Sequence, residues 1–137
     1  MKKTLLIADI KLPEKSEVNI RTILEANNLP TRLPEVYVGK FNCWGFTTFY
    51  YKWCGRAYWM DRDQMDWRLE RNTMPIEPIE VQAGDVAVFR GSGYLRHTAV
   101  VLPGKMVCHK PGELDLCIDK LEAAIETYGE VDYVRPI

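Results

Sequence analysis

Between residues 85 and 118 four short runs follow one another, DVAVF (85–89), HTAVVL (97–102), KMVCH (105–109) and LDLCI (114–118), with Gly- or Pro-containing breaks between them. Runs this short, apolar or β-branched and punctuated in this way fit strands of an antiparallel meander. Pro103-Gly104 supplies a tight hairpin between the second and third runs. After Asp119 the stretch KLEAAIETY reads as a helix, with Asp119 as its cap, Glu122 in the position of a capping-box partner and Gly129 as its stop. VDYVRPI then closes the chain as a last strand.

The first half has a different character. SEVNIRTILEANN (16–28) spaces Val18, Ile20, Ile23 and Leu24 at helical intervals behind a Ser16 cap and ends before Leu29-Pro30. CWGFTTFYYKW (43–53) is a nearly continuous apolar and aromatic surface without proline, long enough for a buried helix that starts at Cys43. Its aromatic set Trp44, Phe49, Tyr50 and Trp53 is expected mainly to pack the core. MDRDQMDWRLERN (60–72) mixes both charge signs and reads as a solvated helix or loop. Helices first and a sheet of about five strands afterwards make an α+β fold with segregated elements. With 137 residues, 47% of them hydrophobic, one domain over 1–137 is expected, 1–34 as an N-terminal helical segment and 35–137 as the core.

A formal charge of -1 gives no basic field for phosphate, so nucleic acid is not an expected partner. In MKKTLLIADIKLP the apolar run is cut at Asp9 and no small-residue cleavage site follows, so it is not read as a secretory signal, and no segment has the length of a membrane span. A reducing cytoplasm is then the expected place of synthesis, and the cysteines at 43, 54, 108 and 117 are expected as thiols. They lack the paired spacing of a zinc site. Cys108 and His109, as neighbours on a strand, point to opposite faces, which argues against a metal cluster of Cys43, His97, Cys108 and His109. No metal and no cofactor are expected.

FNCWGF (41–46) places one thiol at the first turn of the aromatic helix. The free N–H groups and partial positive charge of a helix N-terminus lower a thiol's pKa, and the same N–H groups can hold an oxyanion. Such a nucleophile needs a base with an orienting partner. The chain has only two histidines, His97 at the start of one hairpin strand and His109 at the end of the next. They are expected as near cross-strand neighbours, about 4.5–5.5 Å apart. A hydrogen bond between the rings would fix the tautomer of His97 and leave its other nitrogen for Cys43. The bland alternative is a buried cysteine that serves as a small hydrophobe and a histidine that decorates a strand end.

Together FNCWGF, AGDVAVF (83–89) and HTAVVLPGKMVCH (97–109), with the 12-residue interval between the histidines, resemble the NlpC family of papain-like cysteine peptidases over roughly residues 35–137. The resemblance implies a papain-like core and cleavage of peptide bonds in bacterial cell-wall peptidoglycan. It makes Cys43 the nucleophile, His97 the general base and His109 the orienting third member, with the main-chain N–H of Cys43 as an oxyanion donor. Tyr37 takes the place of the family's substrate-site tyrosine, and Asn42 and Trp44 stand at substrate-binding positions. The family's usual Asp-Cys-Ser-Gly reads Asn42-Cys43-Trp44-Gly45 here, which removes a charge able to pair with a free substrate amine and puts a bulky ring where a serine would make a contact. The chain looks like the versions carried by bacteriophage tails or delivered by secretion systems, acting at the cell wall or in the virion beside other tail or effector proteins. Two further readings share these residues: a catalytically retired binding or structural module, and a thiol acyltransferase or amidase working on another substrate.

Overall fold

A computed structural model of the chain describes residues 17–34 and 40–137. The expectations placed on Ser16, on the N-terminal apolar run and on Tyr37 lie outside the described residues. Four helices and six strands follow in the order α1 (Glu17–Ala26), α2 (Cys43–Tyr50), α3 (Arg62–Asn72), β1 (Thr73–Ile76), β2 (Val86–Gly91), β3 (Tyr94–Leu102), β4 (Met106–His109), β5 (Cys117–Lys120), α4 (Leu121–Tyr128) and β6 (Glu130–Pro136). All the strands form one antiparallel sheet of order β1-β6-β2-β3-β4-β5.

The meander from β2 to β5 is the one its short apolar runs predict. The sixth strand comes from TMPI, whose Pro75 reads as a breaker; β1 lies at the sheet edge beside β6, where a missing N–H costs no ladder bond. No helix among the described residues is long and apolar enough to cross a membrane.

Strand alternation divides the core. Val100, Leu102, Met106, Cys108 and Ile118 meet Ile20, Ile23 and Leu24 of α1 and Phe46 and Tyr50 of α2. Val86 and Val88 meet Met65 and Leu69 of α3, so that helix has a buried stripe beneath its charges rather than being solvated all round. On the opposite face Ala87, Phe89, Ala99 and Val107 pack under Ala124 of α4, with Tyr128 and Tyr133 beside them. Cys108 therefore faces α1 and α2, away from the α4 side.

Helix α2 begins where expected and ends three residues early. Asn42 caps it, its Oδ1 accepting from Gly45 N at 3.0 Å, and Lys52 takes a left-handed φ of 65° that turns the chain away. Thr47 and Thr48 return their hydroxyls to the carbonyls of Cys43 and Trp44, each at 3.0 Å. Asp119 does not cap α4. The pairing of β4 with β5 runs through Met106↔Lys120, which keeps Asp119 in the strand, and Leu121 N donates to Lys105 O at 2.9 Å. Lys120 is the N-cap, without a side-chain bond, so the capping box with Glu122 is not formed.

The Gly-Asp turn before β2 is an anchor. Asp85 is buried, accepts from Gln82 N at 2.7 Å and receives both Nε and Nη2 of Arg135, at 2.9 and 3.0 Å. Tyr51 Oη donates to Gly84 O at 2.7 Å, tying the end of α2 to the same turn. This two-pronged guanidinium contact compensates a carboxylate taken out of water and joins β6 to the start of β2.

Gly45 has no room for a side chain, since a Cβ there would stand 1.8 Å from the main-chain oxygen of Tyr58. Gly45→Ala is expected to cost about 3 kcal/mol or more through forced backbone movement, read as a lower urea midpoint. A midpoint equal to that of the parent protein would contradict this packing.

Candidate active site

Three elements converge on the end of α2. The Cys43 thiol sits at its first residue, is 6% exposed, and lies beside the main-chain amide of Thr98, the residue after His97, which favours its charged form. Below it, Thr47 Oγ1 and Thr98 Oγ1 are 2.8 Å apart in a buried hydroxyl pair that holds α2 against β3. The N–H groups of Cys43 and Trp44 also face the sulfur. Gly45 N is taken by Asn42 Oδ1 and Phe46 N by Asn42 O, so the first two amides of the helix are the ones left for a ligand.

His97 Nε2 and His109 Nδ1 are 2.6 Å apart, with the rings 4.8 Å between centres and nearly perpendicular. The histidines are not directly opposite one another. Leu102 pairs with Met106 and Val100 with Cys108, and one further step along that register puts His109 opposite Ala99. His109 is thus diagonal to His97 on the same face, still within reach of an imidazole. A β-bulge between Phe89 and Arg90 lets His97 lie opposite Phe89 and face α4.

Two residues that sequence reasoning did not attach to this site belong beside it. Tyr128, the last residue of α4, stacks on the His97 ring with centroids 3.8 Å apart and planes 6° from parallel. Asp119 Oδ2 lies 3.7 Å from His109 Nε2. The sequence carried no signal for the first, because only the tertiary seat of α4 brings residue 128 to residue 97. For the second, a period-2 reading through residue 120 would have put Asp119 on the face of Val107 and His109.

The electrostatics correct one expectation. A helix N-terminus alone would lower the Cys43 pKa, but burial dominates and pushes the thiol up to about 12, against the smaller opposing effects of the Thr98, Trp44 and Cys43 amides and the charge of Lys110. His97 is held well below the usual imidazole range, first by burial and then by its neighbour His109. Both groups are therefore neutral at pH 7, a thiol and an imidazole rather than a preformed ion pair.

The other sequence-predicted positions are plain in geometry. Asn42 is buried, with Oδ1 also accepting from Met60 N at 3.2 Å and Nδ2 donating to Met60 O at 2.8 Å, so its polar atoms are engaged within the protein. Trp44 is half-buried against the α3 side, and its Nε1 has no hydrogen-bond partner among the described residues.

The model of the NlpC/P60 family matches residues 28–130. Among solved structures, the chain is similar to a crystal structure from Staphylococcus aureus subsp. aureus Mu50 of a protein described as similar to a lipoprotein of the NLP/P60 family, with a TM-score of 0.54 and 18% identity. That match covers 93% of this chain and 45% of the other, so the chain spans less than half of that protein's length. No curated protein matches. The chain belongs to the NlpC/P60 family, whose members are generally cysteine peptidases or amidases acting on peptidoglycan.

Proposed function

We propose that the chain is a cysteine hydrolase of peptidoglycan stem or cross-link peptides, with Cys43 as nucleophile, His97 as general base and His109 as the residue that orients it. The observation that carries this reading is the 2.6 Å contact from His97 Nε2 to His109 Nδ1, which leaves His97 Nδ1 as the nitrogen available to the thiol. As the sulfur bonds to the substrate carbonyl carbon, its proton passes to His97 Nδ1, and the Cys43 and Trp44 amides receive the oxyanion. Collapse breaks the C–N bond, with His97 returning the proton to the leaving amine. Water, deprotonated by His97, then releases the acid and restores the thiol. Because both partners start neutral, the proton moves with the attack, as in a serine hydrolase.

One observation favours a second reading. The 6% exposure of Cys43 and its raised pKa suit a retired module whose thiol is only a core residue.

Release of peptides from purified peptidoglycan separates the two readings. Cys43→Ala and His97→Ala are each expected to lower the rate by roughly 10³-fold or more, and His109→Ala by about 10- to 100-fold, since it orients rather than transfers the proton. Hydrolysis that survives Cys43→Ala, or a folded parent protein that releases nothing, would contradict the proposal.

A depressed His97 pKa keeps the base unprotonated into mild acid. The acid limb of kcat/KM is therefore expected below the ordinary imidazole value of about 6.5; a profile that halves at that value would contradict it. The same shift acts on stability. Below about pH 6.5 the unfolded chain protonates this residue and the native state does not, so stability falls as pH drops toward 5. Melts from pH 7 to 5 should show that fall, and it should be smaller in His97→Gln.

A further inference from the structure

We infer that Asp119 is a positioning residue of this site, which sets the tautomer of His109 and through it that of His97. The inference rests on the proposed roles of Cys43 and His97 and extends the chain of groups by one.

Among the described residues, His109 Nε2 is a buried ring nitrogen without a hydrogen-bond partner. Buried polar atoms are rarely left so. Asp119 Oδ2 is 3.7 Å away, too far for a direct bond but within one side-chain adjustment or one bridging water. Asp119 is 46% exposed, so water reaches its carboxylate, and its Oδ1 accepts from the amide of Lys120 at 2.9 Å while Oδ2 is the oxygen nearer His109. The register brings the two together, since Val107 pairs with Asp119 and His109 with Cys117, which places Asp119 diagonal to His109 on one face of the sheet.

The contact matters because the bond between the rings can be made in two ways. In one, His97 donates Nε2–H to His109 Nδ1, His109 carries its proton on Nε2, and His97 Nδ1 holds a lone pair. In the other, His109 donates Nδ1–H to His97 Nε2, His109 Nε2 is bare, and His97 Nδ1 carries a proton and cannot take another from a thiol. A carboxylate only accepts. Opposite His109 Nε2 it selects the first arrangement, the one in which His97 is a base. Among the described residues, the other titratable groups recorded against the pair are Tyr128 of α4, stacked on His97 and 6.4 Å from His109 between ring centres, and Cys117 across from His109 on β5, while Cys43 of α2 lies near Tyr128. None of these is a carboxylate.

Because the chain has two histidines, long-range ¹H–¹⁵N correlation spectra report both tautomers with one assignment variant. At pH 8 the protein is expected to show protonated Nε2 and bare Nδ1 on both rings. Asp119→Asn, whose amide can donate to His109 Nε2, should shift both rings toward Nδ1–H and lower kcat on the order of 10-fold or more with KM little changed. Asp119→Glu should restore both readings. A parent protein with Nδ1–H on His109, or an Asp119→Asn protein with unchanged tautomers, overturns the inference; a match in melting temperature between the variants shows that neither result comes from unfolding. If the spectra behave as expected and the parent protein releases no peptide, the positioning role stands and the proposed hydrolysis fails.

Discussion

The buried hydroxyl pair of Thr47 and Thr98 fastens the helix that carries Cys43 to the strand that carries His97. Everything chemical at this site depends on that seat, because the thiol comes from the first residue of α2 and meets the main chain of Thr98. Two further contacts make the seat rigid. Asn42 holds both the helix start and the chain at Met60, and Gly45 lets the backbone at Tyr58 pass where no other residue would fit. The Asn-Cys-Trp-Gly segment is thus a docking device, whatever chemistry the proposed function gives its thiol.

Burial has two consequences that pull against each other. It tightens the hydrogen bond between the histidines and it keeps His97 neutral, both useful to a general base. It also opposes formation of the Cys43 thiolate, which the amides at the helix start and the charge of Lys110 offset only in part. The account that reconciles them has no resting ion pair: charge develops during attack, where the Cys43 and Trp44 amides already point. Tyr128 closes one face of the His97 ring, so α4 contributes to the site although it packs on the far side of the sheet from α2.

Much of this was legible in residue order. Short β-branched runs between turn residues gave the β2 to β5 meander, and the aromatic run after Asn42 gave the helix that starts at Cys43, because both signals are local. Tertiary placement was not legible. TMPI became an edge strand despite Pro75 because β6 lay open beside it. Asp119 carries the local signature of a helix cap, yet the β4–β5 ladder drew it into a strand and toward His109. The histidine contact was foreseen as opposite and found as diagonal, since a turn with Gly104 and Lys105 both at positive φ sets Leu102 against Met106. The thiol's pKa was misjudged because a helix terminus can be read from sequence and the depth at which it is buried cannot.

The central claim is that Cys43 becomes acylated, and acid-quenched mass spectrometry of the protein mixed with soluble peptidoglycan fragments tests it most directly. The account predicts a transient adduct with the mass of an acyl peptide, mapped to Cys43, that is absent in Cys43→Ala and forms far more slowly in His97→Ala. Turnover of the fragments with no adduct on Cys43, or an adduct that maps to Cys54, Cys108 or Cys117 instead, would contradict it.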